Sequence, residues 1–206
     1  MSDNSRIIRS IISAASRLSA QGLAVNLSVC ARSDAGFFMT APSADFSAPS
    51  ENDVFPVPLS GGGAEGGKET KIFETVFAAK KKINAAILAS PPYLTRLSEL
   101  GAEIPPILDD FAQIIGSSMK TAAAQKILSA LKGRNGCMIE NLGALVLGRT
   151  ADEAATALLV AEKTAKTYVL AQYIGTPAPI SLFETKLMNF VYKVKYSKKA
   201  VNPNEK

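Results

Sequence analysis

Residues 138–175 read MIENLGALVLGRTADEAATALLVAEKTAKTYVLAQYIG. The apolar run Gly143–Gly148 has the length of a strand and glycines at both ends. Thr150 is placed to cap a helix, and Glu153 three residues later completes a capping-box pattern. Ala154, Leu158, Ala161, Ala165 and Tyr168 follow at steps of three and four, which puts them on one helical face. Gly175 is expected to stop the helix in a left-handed conformation, and Pro177 prevents its resumption. A short strand therefore leads into one long buried helix.

The same stretch resembles the Asn-His-Gly segment of the class II aldolase/adducin family. That segment has an apolar strand, Asn-His-Gly, a second apolar run, Gly-x-Thr and then Glu-Ala opening a long helix. Asn141, Gly143, Gly148, Thr150, Glu153 and Ala154 match it, and Leu142 stands at the histidine. The resemblance covers almost the whole chain. Leu18–Val29 is similar to the family's opening helix and Gly-Asn-Ile-Ser-Val segment, with Val25 for the glycine and Asn26 and Ser28 matching. Phe38–Ser43 is similar to its Thr-Pro-Ser-Gly loop, with Ala44 for the glycine.

What the resemblance implies is a three-layer α/β/α fold with a mostly antiparallel central sheet, as one domain over residues 1–199. Homo-oligomers, often tetramers, are common in the family. Its two loops hold a substrate phosphate, which points to Asn26, Ser28 and Ser43 as binding candidates for a small phosphorylated ligand. The competing reading is that Asn26 and Ser28 only satisfy local hydrogen bonds, and the replaced glycines favour it. Family members hold an open catalytic zinc with three histidines. Those positions fall on Ala89, Pro91 and Leu142, none of which can donate a lone pair to a metal. The family's catalytic glutamate falls on Glu69, or one place later on Thr70. Without a metal, Glu69 reads as a carboxylate at a helix N-terminus. Tyr196 lies where some family aldolases carry a C-terminal acid, with an ordinary surface tyrosine as the alternative.

Composition limits the chemistry further. The 206 residues contain no histidine, which removes the commonest general base, the commonest zinc ligand and every imidazole-dependent triad. A 47% hydrophobic, 20% charged composition supports a buried core rather than disorder. No apolar run approaches the ~18 residues of a membrane span. The N-terminal segment spreads Arg6, Arg9 and Arg17 through a helical pattern, unlike a signal peptide. Cys30 and Cys137 sit in apolar contexts and read as reduced core residues of a cytoplasmic protein. The net charge of +5 is partly local, at Lys80–Lys82 and in the lysine-rich C-terminus, without the interleaved aromatics of a nucleic-acid surface. Neither a nucleic-acid partner, a membrane partner nor a cofactor is expected.

The remaining segments alternate. An apolar stripe at Ile7, Ile8, Ile11, Ile12, Ala15 and Leu18 predicts a first helix ending near Gly22. Leu23–Ala31 reads as a strand and turns at 33–36 into Phe37–Ala41. Asp53–Leu59, with two prolines, is confined to a sheet edge. Residues 60–68, SGGGAEGGK, form a glycine loop. Its match to G-x-x-x-x-G-K fails where Glu69 replaces the serine or threonine of a nucleotide-binding loop. A helix over 69–82, a buried strand over 83–90 and a helix from Pro91–Pro92 to Gly101 follow. Leu108–Ile115 is a helix or a strand, and the alanine-rich 121–131 segment is expected to be helical. A last helix spans 181 to about 194, and 200–206 is expected to be a disordered tail.

Two readings follow. The chain is a binding, regulatory or structural protein on this fold with its zinc chemistry lost. Alternatively it is a metal-independent lyase, or other enzyme, for a small phosphorylated sugar-like carbonyl compound, with Glu69 as the catalytic candidate.

Overall fold

The computed structural model describes residues 3–59 and 67–200. In chain order the elements are α1 (Asp3–Ala20), β1 (Ser28–Arg32), β2 (Gly36–Thr40), β3 (Val54–Pro58), α2 (Lys68–Ala79), β4 (Ala85–Ala89) and α3 (Pro92–Glu99). They continue as β5 (Glu103–Ile104), α4 (Asp109–Ile114), β6 (Met119–Ala122), α5 (Ile127–Ala130), β7 (Gly136–Ile139), β8 (Gly143–Gly148), α6 (Ala151–Gln172) and α7 (Leu182–Ala200).

The strands form one eight-stranded sheet in the order β3-β2-β1-β4-β8-β7-β6-β5. Every neighbouring pair is antiparallel except β6 and β7. The proline-bearing β3 is an edge strand, where a missing N–H interrupts no ladder.

Side-chain alternation builds the layers. Val29, Ala85, Ile87, Ala89, Ala144 and Val146 face one side and pack with α1, α3, α4 and α6. Cys30, Ala86, Leu88, Leu145 and Leu147 face the other side and pack with α2 and α5. This is the expected three-layer α/β/α fold with a mostly antiparallel sheet. The small side chains of β4 and α6 let helix and sheet approach closely, and Ala154, Leu158, Ala161 and Ala165 are all fully buried.

Several segments depart from the sequence reading. The helix expected over 121–131 is instead β6, a 3-10 turn at Ala124–Lys126 and the four-residue α5. Its alanine content favours helix, but pairing of Thr121 and Ala122 with Met138 and Ile139 overrides propensity. The strand expected from Leu23 begins only at Ser28, because Asn26 adopts φ 45° and breaks the extended run. The 108–115 segment is helix α4. Gly175 is not among the left-handed glycines: α6 ends at Gln172 and its next residue, Tyr173, keeps a right-handed conformation. The Thr150 hydroxyl accepts the Glu153 N–H at 3.1 Å, as the cap requires. The Glu153 carboxylate does not close the box on Thr150. It grips Arg149 instead, at the backbone N–H (3.0 Å), Nε (3.0 Å) and Nη2 (2.6 Å).

The glycine-loop reading at 60–66, the side chain of Tyr196 and the tail beyond Ala200 lie outside the described residues. No helix among the described residues is long and apolar enough to cross a membrane.

Candidate functional site

The C-terminal end of β4 meets the turn between β7 and β8 because Gly143 permits it. Its φ is 115°, and a Cβ there would run into the Ala89 carbonyl oxygen and lie 2.9 Å from Ser90 Cα. Asn141, at φ 57°, supplies the left-handed residue of the same turn. The Leu142 carbonyl is thereby carried to Ser90, whose hydroxyl donates to it at 2.8 Å. Ser90 N–H donates to the Val25 carbonyl at 2.8 Å, and Asn26 Nδ2 donates to Ser90 Oγ at 3.3 Å. Three separate loops are tied together around Ser90.

Beside this junction lies an open cleft of about 380 Å³. Asn26, Ser28, Glu69, Thr70 and Ser90 give it polar groups, while Met39, Phe46, Phe55, Leu88 and Leu142 give it apolar wall. Glu69 is the one ionisable side chain among the described lining residues. It stands in the first turn of α2, where the helix dipole favours a carboxylate, and its Oε2 lies against Gly67. The Thr70 hydroxyl, 4% exposed, donates to Met39 Sδ at 3.5 Å, so it is turned into the wall.

The structure thus brings Asn26, Ser28, Glu69 and Leu142 to one place. Ser43 stands apart: it is exposed on its loop while its neighbours Pro42 and Ala44 line the cleft. Ala89 and Pro91 also stand apart. Ala89 is fully buried on the helical layer of α1, α3 and α6, and Pro91 is the buried residue that precedes α3. The residues of β4 and its end that share the cleft with Leu142 are Leu88 and Ser90. Ala89 and Pro91, where the resemblance would set two of the metal ligands, therefore do not line the cleft. A one-residue shift on a strand turns every side chain to the opposite face, and the cleft opens on the face of α2. Leu88 and Ser90, two places apart, share that face. The one signal for Ser90 in the sequence is its place as a polar residue closing an apolar strand.

The donor set around Leu88, Ser90 and Leu142 does not fit a zinc ion. Two of the three side chains are hydrocarbon, and the third is a hydroxyl already donating to a carbonyl. Among the described residues no group of three His, Cys, Asp or Glu side chains converges anywhere.

The helix that follows Ser90 has its own support. Pro91, which caps α3, has no side-chain acceptor. The orphaned N–H groups of Tyr93 and Leu94 donate instead to Glu162 Oε1 and Oε2, at 2.9 and 3.0 Å, from α6. Glu162 is 8% exposed, and burial raises its pKa against the opposing effects of those two N–H groups and of Lys166.

Comparison with known structures returns the same architecture. An L-fuculose 1-phosphate aldolase superposes with a TM-score of 0.83 at 21% identity, covering 94% of this chain and 98% of its own. L-fuculose-1-phosphate aldolase from Thermus thermophilus gives 0.72 at 21% identity, covering 83% and 97%. The L-fuculose 1-phosphate aldolase from Glaciozyma antarctica gives 0.72 at 18% identity, covering 93% and 90%. At such identities the likeness is one of fold. Comparison with curated proteins returns no match. The family described as class II aldolase and adducin N-terminal domain matches residues 6–169, which include Asn26, Glu69, the β7–β8 turn and nearly all of α6. With that match over residues 6–169, the chain belongs to the class II aldolase and adducin N-terminal domain family.

Proposed function

We propose that this chain is a non-catalytic member of its family that binds a small polar molecule in the cleft beside Leu142. One observation carries the reading. The side chains that converge on the β7–β8 turn are Leu88, Ser90 and Leu142, an apolar and hydroxyl set, yet the cleft of about 380 Å³ remains open and partly polar. A site retained for shape but stripped of metal donors suits recognition better than carbonyl activation. Asn26, Ser28, Ser90 and Glu69 are the groups we assign to ligand contact. We take the family metal positions to be Leu88, Ser90 and Leu142. We further propose that the chain works as a single domain over 1–199, assembles as a homo-oligomer of the tetrameric family type, and resides in the cytoplasm. The two buried free cysteines support that last point.

A second reading has its own support. Glu69 stands in the same cleft as Asn26 and Ser28. That grouping would serve a metal-independent lyase acting on a small phosphorylated sugar-like carbonyl compound, with Glu69 as base.

The deciding experiment assays aldol cleavage of a panel of sugar 1-phosphates with and without added divalent metal, beside calorimetric binding of the same compounds. Binding without turnover in either condition is the expected result. Turnover abolished by Glu69→Gln would replace the first reading with the second.

A further inference from the structure

We infer that a second recess, at the opposite end of β4 and β8 from the cleft, binds a small amphipathic carboxylate. It is distinct from the cleft: Ile83 precedes β4 and Leu147 closes β8, whereas the cleft is lined by Leu88, Ser90 and Leu142. At about 3.3 Å per residue, the five residues from Ile83 to Leu88 separate the two by roughly 17 Å.

The recess has a volume of about 430 Å³ and is walled by Ile83, Ile114, Leu147 and Phe190, the last from α7. That size and mostly apolar lining are those of a small-molecule site. Phe190 is 64% exposed although it borders the recess, so an occupant would remove a large apolar face from water. The wall is fixed. Asn189, next to Phe190, donates to the Gln113 carbonyl at 2.7 Å, and Asn135 Nδ2 donates to the Ile114 carbonyl at 2.8 Å.

Charge decides what end the occupant presents. Lys82, Arg149 and Glu153 stand at the recess, two cations against one anion. Glu153 holds Arg149 through Nε and Nη2, which fixes the guanidinium plane and leaves Nη1 with no partner among the described residues. A positioned guanidinium edge beside an exposed lysine, above an apolar floor, is complementary to a carboxylate carrying an aliphatic tail.

The test uses the full chain and sodium octanoate, titrated calorimetrically beside butanoate, hexanoate and octylamine. One octanoate per chain is expected, with binding tightened about threefold to fourfold for each methylene between butanoate and octanoate. Octylamine should bind at least about tenfold more weakly, and Arg149→Gln should weaken octanoate about tenfold. Phe190→Ser, at an exposed position, should remove most of the chain-length dependence without changing the circular dichroism spectrum. Lys82→Ala gives a second rim variant should Arg149→Gln fail to fold. The inference is overturned by equal binding of octylamine and octanoate, by uptake of several octanoates per chain, by no binding at millimolar octanoate, by chain-length dependence that survives Phe190→Ser, or by self-association that excludes octanoate from the recess.

Discussion

Replacing Glu162 by alanine tests how the start of α3, the helix that follows Ser90, is held. Helix α3 starts immediately after Ser90, at a proline that cannot cap it. Both carboxylate oxygens of Glu162 are committed to its first turn, at 2.9 and 3.0 Å. Glu162→Ala leaves two N–H groups without acceptors in a site where Glu162 itself is 8% exposed. Each stranded donor costs about 1–3 kcal/mol, so a loss of about 2–4 kcal/mol is expected once partial hydration is allowed. For a chain of this length that corresponds to a fall in Tm of roughly 5–15 °C. Glu162→Gln keeps one acceptor and should cost about 1 kcal/mol. The pH dependence has a definite sign. Burial raises the folded-state pKa of Glu162, so the folded state binds its proton more tightly than the unfolded state does. This contribution to stability is complete below the ordinary glutamate range and declines as pH rises through the raised value. Thermal melts of the three proteins between pH 4 and 8 read all of this. A Glu162→Ala melt within about 1 °C of the parent would refute the capping account. An unchanged pH slope in Glu162→Gln would refute the titration account.

Three further outcomes follow from the structure. Gly143→Ala places a methyl against the Ala89 carbonyl at φ 115° and should destabilise by about 2–4 kcal/mol in chemical denaturation, while Gly101→Ala, at φ 64° with open space around it, should cost only about 1 kcal/mol. Burial pushes the Cys137 thiol up to about 12 and the Cys30 thiol well above its usual value, so a thiol reagent at pH 8 should label neither until denaturant is added. The same shifts imply that stability falls as pH rises above about 9, where the unfolded thiols ionise first.

The residues that can be read from sequence are those whose local pattern and tertiary role agree. The β8–α6 unit is the clearest case. Glycines bound the strand, Thr150 caps the helix, and the stripe from Ala154 to Ala165 is buried as its spacing requires. Local signals fail where a distant partner decides the outcome. The alanine-rich 121–131 segment begins as the end of strand β6 because β7 pairs with Thr121 and Ala122, and only Ile127–Ala130 of it is α-helical. A near neighbour can also override a local pattern: the carboxylate of Glu153 turns away from Thr150 because the adjacent Arg149 offers two side-chain donors and a backbone N–H. Asn26 and Glu69, reached through the family pattern, do line the cleft, whereas Ala89 and Pro91 do not. An unbroken apolar run over 85–89 carries no alternation to show which side chains face which layer. Ser90, the hydroxyl that joins three loops, has no signature beyond its polarity at the end of that run.

We propose that the family fold persists here without its zinc site, a reading supported by the hydrocarbon and hydroxyl side chains of Leu88, Ser90 and Leu142 that line the cleft. Elemental analysis of the purified chain, incubated with excess zinc and then exhaustively dialysed, tests it most directly. The account predicts no stoichiometric zinc. Retention of one zinc per chain, lost on Glu69→Gln, would contradict it.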